Sequence, residues 1–415
     1  MTNLNSDITL INPPSPFLIN DSVFPSLGIL YIASVLKNKG YSVNFIDLAN
    51  SSNWRDRIKK IDTKYVCTTG TTPHFSILKE ISDIIRKNSN GVKLIVGGPH
   101  ATIAPESLTS YYDTVVLNEG ENVIEDALFT NKNIIDGGIV QDLNTIPFPA
   151  RELINFDNYK FIIDNKKAAH LILSRGCPYS CAYCCKVSQK KLRFRSVSNA
   201  IDEIRSLKDN LGIDRLMFFD DTFTLNKKFV RDFCKELTPL NMKWRCFVRS
   251  NTVNKELLEL MKSAGCVELG VGVESGSQQI LNNVNKQTKV KDNTELVKLC
   301  KDLGVLFKAF IIIGLPGENE NTFQETRKWL LDNRPDKYSI FVFTPYKGSP
   351  IGDNPENYDI EFVNDYDKSW WGGKQKDQTS LSRTSVLSGD RIVELRNGLL
   401  KELKNVGMCD LNNIL

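Results

Sequence analysis

"HLILSRGCPYSCAYCC" (His170–Cys185) determines how the second half of this chain is interpreted. The quotation begins with an apolar run typical of a buried strand and continues into a loop with four of the ten cysteines of the chain. Five more apolar runs follow, "RLMFF", "KWRCFV", "VELGVGV", "VLFKAFIII" and "YSIFVF", most of them before a helix-like segment. This alternation predicts a partial (β/α)6 barrel. Because barrel enzymes carry their chemistry in the loops after the strands, the cysteines lie where an active site is expected.

The spacing of these cysteines favours an inorganic cluster. In Cys177-x3-Cys181-x2-Cys184, three thiolates of one short loop can converge on one core, whereas the adjacent Cys185 points elsewhere. A closed structural zinc site needs four ligands, and no histidine or second cysteine pair follows at a suitable distance. A [4Fe–4S] cluster with three protein ligands keeps one iron open for a small chelating molecule. The triplet therefore favours iron–sulfur over zinc.

The first part of the chain has a different pattern. From Ile8 to about Leu128, five short β-rich runs alternate with helical segments. The first helix carries an apolar face and ends at Gly40, a residue suited to a left-handed cap. The alternation predicts a doubly wound, Rossmann-like α/β domain whose ligands lie at the carboxyl ends of parallel strands.

The chain is long enough for two domains. We predict the first domain at residues 1–135, a proline-containing linker at 136–165, the barrel at 166–350 and a C-terminal helical extension at 351–415. Trp370 and Trp371 are interpreted as an anchor for the last helix of the extension, which is expected at about Ser388 to Asn405, and the alternative is that they line a substrate pocket.

Charge and hydropathy limit the classes of function. Lys and Arg total 53 against 49 Asp and Glu, a formal charge of +4, which gives no support for nucleic-acid binding. The longest apolar run, around "AFIIIGL", is too short to span a bilayer, and "MTNLNSDITL" does not have the pattern of a signal peptide. We therefore expect a cytoplasmic protein without a membrane span.

Cys-x3-Cys-x2-Cys with an aromatic residue before the last cysteine, here Tyr183, resembles the signature of the radical S-adenosylmethionine (SAM) enzymes. The resemblance implies that the three cysteines bind a [4Fe–4S] cluster, that SAM chelates the open iron, and that one electron splits SAM to a 5′-deoxyadenosyl radical. It also implies SAM contacts from Tyr183, from Asp220 or Asp221 to the amino group, from Arg249 to the carboxylate, and from Glu274 and Ser275 to the ribose. The alternatives are an aspartate that caps the helix near Asn226 and an arginine on the surface.

A doubly wound domain before such a barrel, joined by "IPFPAREL", looks like the cobalamin-binding class of this family. The two resemblances together cover nearly the whole chain. They imply cobalamin contacts from Gly97, Gly98 and His100 in "GGPHAT". The Asp-x-His-x-x-Gly motif that supplies a histidine to cobalt is absent, so cobalamin would bind without that ligand or the domain would be a scaffold. The alternative for His100 is a residue that anchors its loop.

These resemblances predict a cobalamin-dependent radical SAM methyltransferase that acts on an unactivated carbon of a biosynthetic small molecule. An external one-electron reductant such as flavodoxin or ferredoxin would serve it. One alternative is a radical SAM cyclase, rearrangement enzyme or epimerase, with cobalamin as an electron carrier or absent. Another is a non-catalytic cobalamin or iron–sulfur binding module. No catalytic side chain beyond the cofactor contacts is identified from the sequence.

Overall fold

The computed structural model describes residues 7–408, except residues 19, 50, 186, 188, 189 and 365–378. The chain separates into two compact units, Met1–Lys160 and Phe161–Leu415. The four-part division predicted from the sequence is finer than this separation and stays a prediction. Trp370 and Trp371 lie outside the described residues.

The first unit is a parallel sheet in the order β2-β1-β3-β4-β5-β6. Its strands are β1 (Ile8–Asn12), β2 (Val43–Asp47), β3 (Tyr65–Thr69), β4 (Lys93–Gly97), β5 (Thr114–Leu117) and β6 (Ile134–Asp136). Its helices are α1 (Leu27–Asn38), α2 (Trp54–Ile58), α3 (Phe75–Asn88), α4 (Pro99–Ile103) and α5 (Ile124–Phe129).

Helices cover both faces of this sheet. One apolar core packs α1 and α5 against the strands, and a second packs α2, α3 and α4 against the opposite face. The strand order reverses direction at β1, between β2 and β3, which makes the carboxyl ends of β1 and β3 the switch point of the fold. The predicted doubly wound domain is confirmed, and Gly40 follows α1 with a left-handed φ of 91°.

The sixth strand, β6, was not predicted. It pairs with β5 at the edge of the sheet, and its three residues are only partly buried or exposed. Ile134 and Ile135 pack at the margins of the two apolar cores, but three residues are too few to give a recognisable strand pattern in the sequence.

The second unit contains a six-stranded parallel sheet in the order β16-β15-β14-β13-β12-β9. The strands of this unit are β7 (Ile162–Ile163), β8 (Lys166–Lys167), β9 (Ala169–Leu171), β10 (Ser174–Arg175), β11 (Arg193–Phe194), β12 (Arg215–Phe218), β13 (Lys243–Val248), β14 (Cys266–Glu274), β15 (Leu306–Ile313), β16 (Lys337–Val342), β17 (Glu361–Phe362) and β18 (Ser382–Arg383). Its helices are α6 (Val197–Leu211), α7 (Lys227–Leu237), α8 (Lys255–Ser263), α9 (Gln278–Asn283), α10 (Val290–Leu303), α11 (Glu320–Asn333), α12 (Pro350–Asp353) and α13 (Gly389–Asn405). All six apolar runs of the predicted partial barrel are strands of this sheet, and α13 is the predicted last helix.

The two faces of the barrel sheet differ in packing. On the outer face, Phe218 makes edge-to-face contacts with Trp244 of β13 and with Phe233 of α7. On the inner face, five rings form a continuous row with neighbouring ring centroids 5.2–6.4 Å apart. We call this row the aromatic band; it consists of His170, Phe219, Phe247, Phe310 and Phe341. The four phenylalanines of the band are only half-buried, so the inner face is not a closed apolar core.

Ion pairs lie near the amino ends of the same strands. The buried Glu268 of β14 pairs with Arg245 of β13 at 3.1 Å and with Lys337 of β16 at 2.5 Å. These bonds link three strands across the inner face of the barrel, and the opposite, carboxyl end carries the long loops. The amino end of the barrel therefore carries stabilising ion pairs, whereas the carboxyl end carries the loops in which barrel enzymes have their active sites. Among the described residues, none of the helices is both long and apolar enough to cross a bilayer.

Candidate functional site

The cysteine-rich segment Gly176–Cys185, here called the thiol loop, follows the first barrel strand and is held at its base. β10 and β11 pair as a short antiparallel ladder immediately outside the loop, with Ser174 opposite Phe194. Gly176 opens the loop with a φ of 97°, a conformation that favours glycine. The backbone therefore turns sharply at the end of β10 and presents the cysteines at the carboxyl end of the barrel.

The three cysteines of the triplet differ in exposure but influence one another. Cys181 is buried, Cys177 is half-buried and Cys184 is exposed, and all three are free thiols. Partial burial raises the pKa of Cys177, and burial together with the nearby Cys181 and Asp221 raises the pKa of Cys184 to about 12. The protein alone thus favours neutral thiols at neutral pH, and positive charge is needed to hold them as thiolates.

The arrangement fits a multi-iron cluster better than a single ion. Within the part of the chain that the structure describes, no three His, Cys, Asp or Glu side chains lie close enough to hold one metal ion. A single zinc needs its ligands around one centre, whereas the thiolates of a [4Fe–4S] cluster bind separate irons and stand further apart. Three neighbouring but separate thiols on one loop satisfy the second requirement.

Arg249, predicted to bind a carboxylate, is buried beside the thiol loop. Its Nη1 donates to Cys181 Sγ at 3.3 Å, its Nη2 donates to the carbonyl of Lys286, and its guanidinium lies 3.6 Å from the ring centroid of Tyr179. Its Nε has no hydrogen-bond partner among the described residues although it is buried. A buried cation with an unused donor next to the thiols fits an anionic ligand at this point.

The two adjacent aspartates after β12 have different roles. Asp220 is buried and accepts hydrogen bonds from Ser174 Oγ at 2.5 Å and from the Leu173 amide at 3.4 Å. Burial raises its pKa to about 6. Asp220 therefore ties β12 to the base of the thiol loop, while Asp221 lies near enough to Cys177 and Cys184 to raise the pKa of both. The alternative that one of them caps the next helix is wrong, because the Asn226 side chain caps α7.

Glu274, at the end of β14, belongs to a buried polar trio. Its Oε1 accepts from Tyr183 Oη at 2.9 Å and from Lys286 Nζ at 2.6 Å, and Lys286 Nζ also lies 3.0 Å from Tyr183 Oη. Burial and the Glu274 carboxylate raise the pKa of Tyr183 well above its usual value, so the phenol stays protonated and donates. Tyr183 and Glu274, both predicted from the sequence, bond to each other directly, and Lys286, which was not predicted, bonds to both.

Ser275 is not brought to the thiol loop. Its Oγ lies 2.9 Å from Thr326 Oγ1 on α11 and accepts from the amide of Ser277. This fully buried serine joins the end of β14 to α11. Its position makes it a support for Glu274 rather than a residue that faces the cysteines.

Glu318, which sequence analysis did not single out as an acid, is also buried after a barrel strand. Its Oε2 accepts from the Gly314 amide, while its Oε1 has no hydrogen-bond partner among the described residues. Burial raises its pKa to about 7. The "GLPGE" stretch (Gly314–Glu318) is typical of a turn after a strand, but the burial of the Glu318 carboxyl group depends on long-range packing that the sequence does not show.

Cys185 diverges from the triplet. Its Sγ lies 3.4 Å from the carbonyl oxygen of Lys347, in the loop after β16. This direction agrees with the interpretation of Cys185 as a bystander, which stays a prediction.

In the first unit, His100 anchors its own loop. Its ring nitrogens lie 3.3 Å from Thr72 Oγ1 and 3.1 Å from Ser107 Oγ, and its ring packs 5.0 Å from that of Phe75. The residue is buried, at 4% exposure. The geometry supports the loop-anchoring alternative and not a direct role in binding a metal.

The glycines before His100 also differ from one another. Gly98 has a φ of 93°, and an added Cβ would lie 2.4 Å from Thr69 Oγ1, so a close approach of β3 and β4 requires glycine. A Cβ on Gly97 would meet only ordinary contacts, at 3.7 Å from Val116. The space at Gly97 is therefore the part of this strand end that a ligand can use. With both ring nitrogens of His100 engaged by hydroxyl groups, a corrin bound here would take no histidine from this loop on its metal.

Comparison with known proteins assigns each unit to a family model. Residues 171–330 match the model described as the radical SAM superfamily, and residues 21–128 match the model described as the B12 binding domain.

Two curated relatives align along most of the chain. The uncharacterized methyltransferase PH0819 of Pyrococcus horikoshii is 31% identical over 378 residues, which is 83% of this chain and 82% of the relative. The anaerobic magnesium-protoporphyrin IX monomethyl ester cyclase of Rubrivivax gelatinosus is 28% identical over 385 residues, which is 82% of this chain and 69% of the relative.

A solved structure has the same fold. The radical S-adenosylmethionine methyltransferase TsrM of Kitasatospora setae, solved with cobalamin and a [4Fe–4S] cluster bound, superposes with a TM-score of 0.69 at 15% identity. The match covers 87% of this chain and 81% of TsrM.

Proposed function

The chain belongs to the radical SAM superfamily, among its members with a B12-binding domain, and from this premise we propose that it is a cobalamin-dependent methyltransferase acting on an unactivated carbon of a small molecule. The proposed methyl transfer is supported by the similarity to a methyltransferase, at 31% identity over most of both chains. The proposed radical SAM chemistry is supported by the geometry of the thiol loop, where Arg249 donates a hydrogen bond to Cys181 Sγ.

In this proposal Cys177, Cys181 and Cys184 hold a [4Fe–4S] cluster. When bound, the cluster supplies one electron to split SAM, and the corrin supplies the methyl group. The protein contributes the position and the shielding of the thiolates. Arg249 lies beside the most buried of them, and its positive charge offsets part of the negative charge that three thiolates bring to the loop.

We assign the polar groups around the thiol loop to SAM. Arg249, with its unused Nε, binds the carboxylate, and Asp221 binds the amino group. Glu274 binds the ribose through the oxygen that Tyr183 and Lys286 leave available. Asp220 and Ser275 support these residues from below, since their side chains are committed to Ser174 and Thr326.

The aromatic band supports a small substrate with an apolar or aromatic surface. Its half-buried rings lie on the inner face of the barrel sheet, and β14 contributes Gly270 between Phe247 and Phe310. A Cβ at Gly270 would lie 2.7 Å from the Phe247 ring, so the two rings close over the strand. Phe310→Ala should weaken substrate binding and leave SAM cleavage without substrate unchanged.

Cobalamin in the first unit and an external one-electron reductant such as flavodoxin or ferredoxin complete the proposal. The corrin would lie at the carboxyl ends of the strands around the switch point, where doubly wound folds bind ligands. Cobalamin requires no histidine from this chain, in agreement with the inward hydrogen bonds of His100.

The test uses protein reconstituted without oxygen with iron, sulfide and hydroxocobalamin, and then desalted. We expect about four irons and about one corrin per chain. With dithionite and SAM carrying a CD3 group, we expect 5′-deoxyadenosine and label on the corrin. A full iron content without corrin would contradict the proposal.

A second candidate is a radical cyclase, because one relative is an anaerobic cyclase at 28% identity. The two candidates differ in the fate of the methyl group. Bound corrin and 5′-deoxyadenosine without transfer of label from SAM would favour the cyclase.

A further inference from the structure

The segment Val284–Gln287, here called the clamp, follows α9 and lies against the thiol loop. Two of its residues, Asn285 and Gln287, have left-handed φ values of 50° and 58°. Non-glycine residues seldom adopt this conformation, and its repetition within three residues folds the clamp into a tight shape. The backbone strain in this segment is offset by the contacts that it makes.

The clamp holds the backbone of the thiol loop at two points. The Ala182 amide donates to the Val284 carbonyl at 2.8 Å, and Asn285 Nδ2 donates to the Ser180 carbonyl at 3.0 Å. These bonds lie on either side of Cys181. The position of the central cysteine relative to β14 is therefore set by the clamp.

Lys286 extends this attachment to three side chains of the site. Its Nζ contacts Glu274 Oε1 and Tyr183 Oη, and its carbonyl accepts from Arg249. One residue thus contacts the aromatic residue before Cys184, the carboxylate at the end of β14 and the arginine on Cys181.

Burial makes the charge of Lys286 structurally significant. Lys286 is 4% exposed and Glu274 is 7% exposed, so each is the counter-ion that the other requires. The adjacent strand is adapted to the pair, because a Cβ at Gly272 would lie 2.4 Å from Glu274 Oε1 and 2.8 Å from Lys286 Nζ. Glycine at this position gives the two charged groups their space.

We propose that Lys286 is a positioning residue that fixes the thiol loop and Glu274 relative to each other, and so sets the distance between the cluster and the ribose of SAM. The inference rests on the proposed function for the identity of the ligands. It goes beyond that function in assigning a role to a residue outside the predicted SAM contacts. Its basis is that Lys286 alone among the described residues bonds to Tyr183, Glu274 and Arg249 together.

The main variant is Lys286→Met, which keeps an unbranched side chain one atom shorter and removes the charge and its donors. The conservative variant is Lys286→Arg. The matched control is Lys291→Met, since Lys291 is an exposed lysine on the next helix whose partner is Glu295. Each variant is prepared as the full chain.

The first measurement needs no cofactor: the rate at which iodoacetamide alkylates Cys177 and Cys184 in the apoprotein, followed by peptide mass spectrometry. We expect Lys286→Met to raise both rates about fivefold, because Tyr183 loses its bond to Lys286 and the Glu274 carboxylate that holds Tyr183 loses its counter-ion. Lys286→Arg should lie within about twofold of the unchanged protein, as should Lys291→Met. Equal rates in Lys286→Met and the unchanged protein would overturn the proposal.

The second measurement is the affinity for SAM of the reconstituted, reduced cluster, followed by the change of its electron paramagnetic resonance spectrum. We expect Lys286→Met to bind iron fully, to bind SAM about tenfold more weakly and to be rescued by Lys286→Arg. Unchanged SAM affinity in an iron-replete Lys286→Met protein would overturn the proposal while the proposed function stands. Failure of the unchanged protein to bind a cluster would contradict the proposed function itself.

If Lys286→Met does not fold, Tyr183→Phe is used instead to test whether Lys286 positions the thiol loop. This variant keeps the Lys286–Glu274 ion pair and removes only the phenolic oxygen that links it to the thiol loop. We expect about threefold faster alkylation of Cys184 with an unchanged melting temperature. Alkylation at the rate of the unchanged protein would overturn the proposal.

Discussion

The strand ends of the two units are built in opposite ways. After the barrel strands, charged and aromatic side chains converge on the thiol loop, and Arg249, Glu274 and Lys286 bond to it and to one another. After the strands of the first unit, the side chain of His100 turns inward to Thr72 and Ser107, and glycine follows β4. The second unit has charged and polar side chains at its strand ends, whereas the first unit has glycines there, which leave room beside the backbone. Substitutions should therefore act differently in the two units.

The largest effect is expected at the centre of the thiol loop. Cys181 is the buried member of the triplet and receives the hydrogen bond of Arg249. Cys181→Ala should abolish iron binding and SAM cleavage, because two thiolates do not hold a cluster on this loop. Cys185→Ala is the matched control, since the Cys185 thiol faces Lys347. The iron content of each variant after reconstitution tests which cysteine is a ligand. Loss of iron in Cys185→Ala, with iron retained in Cys181→Ala, would show that Cys185 and not Cys181 binds the cluster.

The next effect tests the first unit, where adjacent glycines should differ. Gly98→Val forces a branched side chain into a left-handed φ and against Thr69, so we expect a loss of stability of about 3 kcal/mol. Gly97→Ala should cost less than about 1 kcal/mol, because its Cβ meets only ordinary contacts. Urea unfolding of the full chain, followed by hydrogen exchange of β4 peptides, measures both.

Corrin binding separates the two glycine variants further. Gly97→Ala keeps the fold and fills the space at the strand end, so it should reduce the corrin retained after desalting. Full retention in this variant would place the corrin away from Gly97.

The pH dependence of stability should have opposite signs in the two units. Burial raises the pKa of Glu318 to about 7, so between about pH 4.5 and 7 the folded chain holds a proton that the unfolded chain has released. The stability of the second unit therefore falls as pH rises through this range. Burial lowers the pKa of His74 to about 4, so the stability of the first unit falls as pH drops from about 6.5 to 4.

Hydrogen exchange of the full chain, corrected for the intrinsic exchange rate, measures this contrast between β3 and β15 peptides. The expected change is on the order of 3 kcal/mol in each unit. Glu318→Gln should flatten the pH dependence of the β15 peptide and leave that of the β3 peptide unchanged. A Glu318→Gln protein with the pH profile of the unchanged chain would show that another group is responsible.

The sequence predicted the framework of both units because periodicity reports buried strands directly. All six barrel strands and five strands of the first unit are apolar runs, whereas the edge strand β6 is only three residues long and escaped prediction. Positions at or directly after a strand end, such as Glu274 and Arg249, were identifiable because the strand end fixes their place.

Contacts made across the sequence were not predictable in the same way. Lys286 lies twelve residues after Glu274, beyond a helix, and nothing in its neighbours marks a buried lysine. The division of roles between Asp220 and Asp221 likewise depends on the β10 ladder, which places Ser174 against one of them. The burial of Lys286 and the different roles of the two aspartates depend on side-chain direction and long-range packing. A local sequence pattern contains no information on either.

The smallest effect is expected at His100, where the sequence left two interpretations open. Both ring nitrogens already have hydroxyl partners within the first unit, so His100→Ala should remove loop contacts worth about 1–2 kcal/mol and leave corrin affinity within about twofold. Titration of the apoprotein with hydroxocobalamin, beside urea unfolding of the same variant, separates the two quantities. A loss of corrin affinity beyond about tenfold with unchanged stability would mean that the histidine leaves Thr72 and Ser107 to reach the ligand. Retention of affinity would instead extend the contrast between the units, because the first would bind its ligand without any charged side chain of the "GGPHAT" loop.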